Sequence, residues 1–225
     1  MTGMNEVLAL MERAFRDEPF HNLNMLYGDA VGSQVPGGTC SDKALSFVLA
    51  ARDAELNATL CTAFIGGDEI HRLARLIIDG RVYFADVGNG WPSLLPYPAD
   101  EAIKYERFGM TFRTQVHDDR LRVFHRKDGK EYLQMEIMLA LRPEGEIIAE
   151  IKNRFNSGII YPFQNRMRFS AIVDDQFRFL RDNKLVIYGE SGLQRTILVS
   201  ELDLERSIHR YFRQAVDFSP TMEGK

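Results

Sequence analysis

Three side chains in this sequence could together form and break an acyl bond: Cys40, His71 and Asp86. Cys40 ends the run Pro36-Gly37-Gly38-Thr39-Cys40. Two glycines allow a tight backbone turn. Leu45, Val48, Leu49 and Arg52 follow at helical steps, and Thr39, Ser41 and Asp42 suit a first turn, so a helix is expected to begin at the cysteine. A thiol there feels the positive end of the helix dipole, which favours thiolate. A nearby imidazolium would lower its pKa further from the free value of about 8.5. The first-turn N–H groups would face a developing oxyanion. Taken alone, the pentapeptide is weak evidence, since a cysteine after a Gly-Gly turn is usually buried structural packing.

The second signal is the segment from His71 to Gly90. A two-residue turn at Asp79-Gly80 sets Ile78 opposite Arg81 and Leu73 opposite Asp86. His71 shares the face of Leu73, which makes it the diagonal neighbour of Asp86, about 7–8 Å away between backbones. Two polar side chains can close that gap. The register thus predicts an imidazole oriented by a carboxylate. A surface His–Asp pair is the competing reading, but Leu73, Ile77, Val82 and Phe84 make the face largely apolar, with Arg75 the exception.

The elements that must position these groups follow from the patterning. Apolar residues at 7, 8, 10, 11, 14 and 15 predict an amphipathic helix over 5–16, stopped by Pro19. Residues 28–38 read as a Gly/Pro-rich loop. Period-two runs at 73–78, 82–87, 121–125 and 132–138, with hairpin signals at Asp79-Gly80 and Asp128-Gly129, predict an antiparallel β region from about 62 to 160. Further strands are expected at 167–173, 176–180, 185–188 and 197–199, with a turn at Asn183-Lys184. Ser200 and Asp203 are expected to cap a last helix that aligns Leu204, Ile208, Tyr211, Phe212 and Ala215.

The bulk properties set bounds. The 225 residues are 45% hydrophobic and 27% charged, an ordinary globular composition. The net charge of -4 comes from 28 basic and 32 acidic residues interleaved along the chain. No basic stripe points to nucleic acid or to a membrane surface. Two cysteines without a Cys-X-X-Cys pair suit a reducing compartment, and a cytoplasmic protein is expected. No convergent Cys/His set suggests a metal.

The ordered motifs resemble the arylamine N-acetyltransferases. Gly37-Gly38-Thr39-Cys40, a histidine 31 positions on, and Asp86-Val87-Gly88-Asn89-Gly90 beginning 15 further look like that family's active-site segments. Pro19-Phe20-His21-Asn22-Leu23 is similar to its Pro-Phe-Glu-Asn-Leu. Pro92, Pro96 and Pro98, the segment Phe155-Asn156-Ser157, the stretch from Phe163 to Phe169 and the terminal Tyr211-Phe212 also fit. The resemblance implies an α+β fold of three lobes: a helical bundle over 1–61 with the nucleophile, an antiparallel β-barrel over 62–160 with His and Asp, and an α/β lid over 161–225. This is the catalytic core shared with cysteine-proteinase-like and transglutaminase-like enzymes.

It further implies that Cys40 is the nucleophile, His71 the base and Asp86 the orienter, with Phe20, Thr39, Val87, Gly88 and Asn89 toward substrate. The implied reaction moves an acyl group, normally acetyl, from an acyl-thioester such as acetyl-CoA to a small amine through a Cys40 thioester. No bound cofactor or metal is implied. The departures are Pro36 where the family has Arg, Ser41-Asp42-Lys43-Ala44 for Phe-Glu-X-Asn, Asn89 for Phe, and His21 for Glu. They leave open an amide synthase of natural-product biosynthesis fed by an acyl carrier protein or another acyl-CoA. A cysteine hydrolase, a transglutaminase-like enzyme and a decayed binding relative also stay open. Trp91 and Tyr97 could wall a cleft or pack the loop. His21 could line the site or be packed. Arg75, Arg107 and Arg113 could meet a CoA phosphate or solvent. Cys61 reads as a core residue, and His117, His125 and His209 as solvated.

Overall fold

A computed structural model describes residues 2–154, 158 and 161–219. The chain opens with α1 (Thr2–Arg16), the two-residue β1 (Phe20–His21), and the short α2 (Leu23–Tyr27) and α3 (Asp29–Gly32), the latter inside the stretch expected to be loop. Then comes α4 (Cys40–Asp53), which starts on the cysteine as its capping residues predict. α1 and α4 lie together because each carries an apolar stripe: Val7, Leu10 and Met11 on one, Ala44, Phe47 and Val48 on the other, all buried. Burying a Leu or Phe side chain of this kind contributes roughly 1.5–3 kcal/mol.

The central sheet follows: β2 (Asn57–Ile65), β3 (Asp68–Ile78), β4 (Arg81–Ala85), β5 (Tyr97–Pro98), β6 (Lys104–Arg107), β7 (Met110–Val116), β8 (Arg120–Lys127) and β9 (Lys130–Met138). All pairings are antiparallel, in the order β5-β4-β3-β2-β9-β8-β7-β6. Two meanders join at the β2–β9 seam and form a half-barrel sheet. Asp79-Gly80 and Asp128-Gly129 both make their turns with positive φ, as two-residue hairpins require.

Helix α5 (Glu144–Asn153) falls within the stretch read as β. Its start signal is Pro143 followed by Glu144 and Glu146, and Ile147 and Ile151 bury its apolar edge. The second sheet comprises β10 (Arg168–Val173), β11 (Gln176–Arg181), β12 (Lys184–Gly189) and β13 (Gly192–Leu198), and α6 (Leu204–Phe212) packs on it through Ile208 and Phe212. The β11–β12 turn is Asp182-Asn183, one residue earlier than expected, with Asp182 in the left-handed region. β1 is the edge strand of this sheet beside β10, opposite the β13 edge, pairing Phe20 with Ser170 and His21 with Phe169. The N-terminal segment is thereby stitched to the last third of the chain. Phe155-Asn156-Ser157 lies outside the described residues. No helix among the described residues is long and apolar enough to cross a membrane.

Candidate active site

The first turn of α4 is built by its preceding residues. Gly38 donates its N–H to the Pro19 carbonyl at 3.1 Å and accepts from the His21 N–H at 2.9 Å. Gly37 has φ 91°, and a Cβ there would sit 2.2 Å from the Pro19 oxygen, so only glycine fits. Thr39 is the N-cap. The Asp42 carboxylate accepts its N–H at 3.0 Å and its hydroxyl at 2.9 Å. The other Asp42 oxygen takes Arg154 at 2.6 Å. Asp42 thus works as a capping residue tied to the end of α5.

The predicted register across β3 and β4 is present: Ile78 faces Arg81 and Ala74 faces Ala85. One step beyond, the chain delivers Asp86. His71 Nε2 lies 2.8 Å from Asp86 Oδ1, with both side chains buried. This leaves the other imidazole nitrogen for the Cys40 thiol, whose sulfur lies 3.8 Å from the Ile70 carbonyl oxygen one residue before His71. Burial opposes a charge on either group. For Cys40, His71 and the Arg72 backbone N–H outweigh it and lower the thiol pKa. For His71, Asp86 and Cys40 outweigh it and push the imidazole up to about 10. The arrangement favours a thiolate–imidazolium pair.

The Asp86-Val87-Gly88 turn presses against α4. A Cβ on Gly88 would lie 2.7 Å from Cys40 Cα, so glycine lets the two backbones meet. Gly88 also donates its N–H to Asp86 Oδ1 at 3.2 Å.

Cys40 and His71 open into a cavity of about 190 Å³. Phe20, Trp91, Phe163 and Phe179 supply aromatic walls, and Asn89, Gln134 and Arg168 supply polar points. Of the residues expected toward substrate, Phe20, Gly88 and Asn89 line this cavity, whereas Thr39 and Val87 do not. Thr39 spends its polar groups on Asp42. Val87 is buried in the main core with the apolar residues of α1 and α4.

The open alternatives divide. Trp91 walls the cavity, backed by Phe179 at 4.6 Å and by Lys127 stacked 3.6 Å over its ring. Tyr97 is fully buried and bonded to Ser93 at 2.6 Å, so it packs. His21 is buried against Phe169, with burial lowering its pKa to about 4. His125, read as solvated, is 2% exposed and stacked on Phe112, because alternation along β8 turns it inward. Arg107 and Arg113 pair with Glu190 and Glu131. Cys61 is buried in the core of the half-barrel.

Sequence reasoning missed Phe179, Gln134 and Arg168 as cavity residues, and it missed the part of Asn22. Asn22 donates to the carbonyls of Phe163 at 2.7 Å and Arg166 at 2.8 Å, and accepts from the Arg168 N–H at 2.8 Å. It fastens the Phe163 wall to the segment that carries Phe20.

A helical layer bearing a cysteine against a half-barrel bearing His and Asp, with a second sheet over the cavity, defines an α+β fold of the arylamine N-acetyltransferase type. The solved arylamine N-acetyltransferase from Salmonella typhimurium superposes with a TM-score of 0.78 at 17% identity, covering 94% of this chain and 86% of that one. The Nocardia farcinica arylamine N-acetyltransferase gives 0.80 at 19%, over 98% and 86%. That of Mycobacterium marinum, solved in complex with CoA, gives 0.77 at 15%, over 94% and 86%. No protein-family model and no curated protein sequence matches the chain.

Proposed function

We propose that this protein is an N-acyltransferase that works through a thioester on Cys40, with His71 and Asp86 completing its triad. The observation that carries this reading is the buried His71–Asp86 pair facing a thiol at the start of α4, at the floor of an aromatic-walled cavity. The Cys40 thiolate attacks the carbonyl carbon of an acyl-thioester. The new C–S bond forms as the donor's C–S bond breaks, and the leaving thiolate takes a proton from the His71 imidazolium. An amine then attacks the enzyme thioester, its proton passes to His71, and Cys40 leaves as thiolate. Asp86 holds the imidazole and stabilises its charge in both steps. The N–H groups at the start of α4 suit the oxyanion.

A CoA thioester, acetyl-CoA above all, is the proposed donor, and the CoA complex of an enzyme with the same fold supports it. The aromatic walls favour a small planar amine as acceptor. The direct test is intact mass after incubation with acetyl-CoA. Gain of one acyl group in the wild type and none in Cys40→Ala is expected. An adduct that survives in Cys40→Ala, or none with any acyl-CoA tried, sinks the proposal.

A further inference from the structure

Asp86 is completely buried, and a buried carboxylate needs donors on both oxygens. Oδ1 takes His71 and the Gly88 N–H. Oδ2 takes the Nδ2 of Asn89 at 2.5 Å. The same amide accepts the Trp91 N–H on its oxygen at 2.6 Å. With that oxygen held by a backbone donor, its nitrogen has to face Asp86. Asn89 therefore bridges the carboxylate behind His71 and the loop that carries the Trp91 wall.

We propose that Asn89 is a positioning residue: it fixes the plane of the Asp86 carboxylate, so that His71 stays turned toward Cys40, and couples that orientation to Trp91. This rests on the triad reading of Cys40, His71 and Asp86. Asn89 acts through Asp86 and makes no bond to the reacting atoms.

Two substitutions separate this role from that of a cavity wall. Asn89→Leu keeps the volume and removes both hydrogen bonds. Asn89→Asp keeps an acceptor for the Trp91 N–H but sets a second carboxyl against Asp86. Two carboxylates that close share a proton. While the proton is held, the new carboxyl donates to Asp86 as the amide does. Once it is lost, like charges push Asp86 out of its plane. Asn89→Asp is therefore expected to resemble the wild type in acid and Asn89→Leu in base.

The experiment uses the full chain and two readouts that need no acyl donor. One is the downfield NMR resonance of the His71 Nε2 proton. The other is the rate of Cys40 alkylation by iodoacetamide as a function of pH, with thermal melts confirming the folded state. In Asn89→Leu the resonance is expected to move or broaden, and alkylation to slow by about tenfold. In Asn89→Asp both readouts are expected to match the wild type near about pH 5 and to fall toward Asn89→Leu by about pH 8. If both variants keep the wild-type resonance and pH profile, Asn89 is only a wall and the proposal is overturned. A wild-type Cys40 no faster than a free thiol would instead overturn the triad reading, and the His71 resonance would still decide the part played by Asn89.

Discussion

His71 Nε2 sits 2.8 Å from Asp86 Oδ1, and neither side chain reaches solvent by more than 2%. The pair is held by the β3–β4 hairpin and faces a cysteine carried by a different layer. Its chemical consequence is a Cys40 thiol whose pKa is held below its ordinary value, because His71 outweighs the cost of burial. Cys40 is expected to react with iodoacetamide well below the pH range of a free thiol, while buried Cys61, whose pKa burial raises, stays inert. Asp86→Asn keeps the shape but removes the charge that supports the imidazolium. Acyl transfer is expected to fall by roughly three to four orders of magnitude. The alkylation profile of Cys40 should move toward that of an ordinary thiol. An unchanged profile in Asp86→Asn would show that the carboxylate does not set the thiol's state.

Gly88 offers a test of the close approach between the two layers. Gly88→Ala would bring a methyl group to 2.7 Å from Cys40 Cα, where backbone rather than a flexible side chain must give way. A cost of about 1–3 kcal/mol in stability is expected. The alkylation rate of Cys40 should drop in a protein that still melts cooperatively. Wild-type alkylation kinetics in Gly88→Ala would mean that the turn does not constrain the nucleophile.

How far the sequence revealed this site depends on the range of each interaction. The hairpin was legible because Asp79-Gly80 is a local turn signal and period-two registry propagates from it to His71 and Asp86. The start of α4 was legible for the same reason: Thr39 and Asp42 are neighbours in sequence. The pairing of Phe20 with Ser170 and the grip of Asn22 on Phe163 span the chain, and no periodicity encodes them. α5 escaped because ten residues with two buried isoleucines give little helical signal between β runs. His125 was misread because only the completed sheet shows which face of β8 the half-barrel covers.

Asn22 separates wall from chemistry. It makes three hydrogen bonds to the segment bearing Phe163 and Arg168, and none to Cys40, His71 or Asp86. Asn22→Ala leaves those backbone groups without partners, at about 1–3 kcal/mol for each one that stays buried. The melting temperature is expected to fall. In the acyl-transfer assay, KM for the amine should rise several-fold while the alkylation rate of Cys40 is unchanged. A loss confined to kcat, with KM intact, would contradict a wall-holding role.

The buried His21 and His125 are expected to make the fold less stable in acid. Burial lowers His21 and His125 to about 4, whereas an unfolded histidine titrates near 6.5. Between those values the unfolded chain binds more protons than the folded one, so stability falls as pH drops through that window. Each displacement corresponds to roughly 3 kcal/mol once the pH is below the folded value. His71 behaves oppositely. Its raised pKa adds stability that is complete below about 6.5 and is lost as pH rises through about 10, so it contributes no slope in the acid window. His125 also leaves its buried Nε2 without a partner among the described residues, while its ring stacks on Phe112 at 4.7 Å. His125→Phe keeps the stack and removes both the orphaned nitrogen and the titration. The variant is expected to melt no lower than the wild type at pH 7, and its Tm should fall less steeply between about pH 6.5 and 4. Parallel Tm–pH curves for the two proteins would exclude His125 as a source of the acid sensitivity.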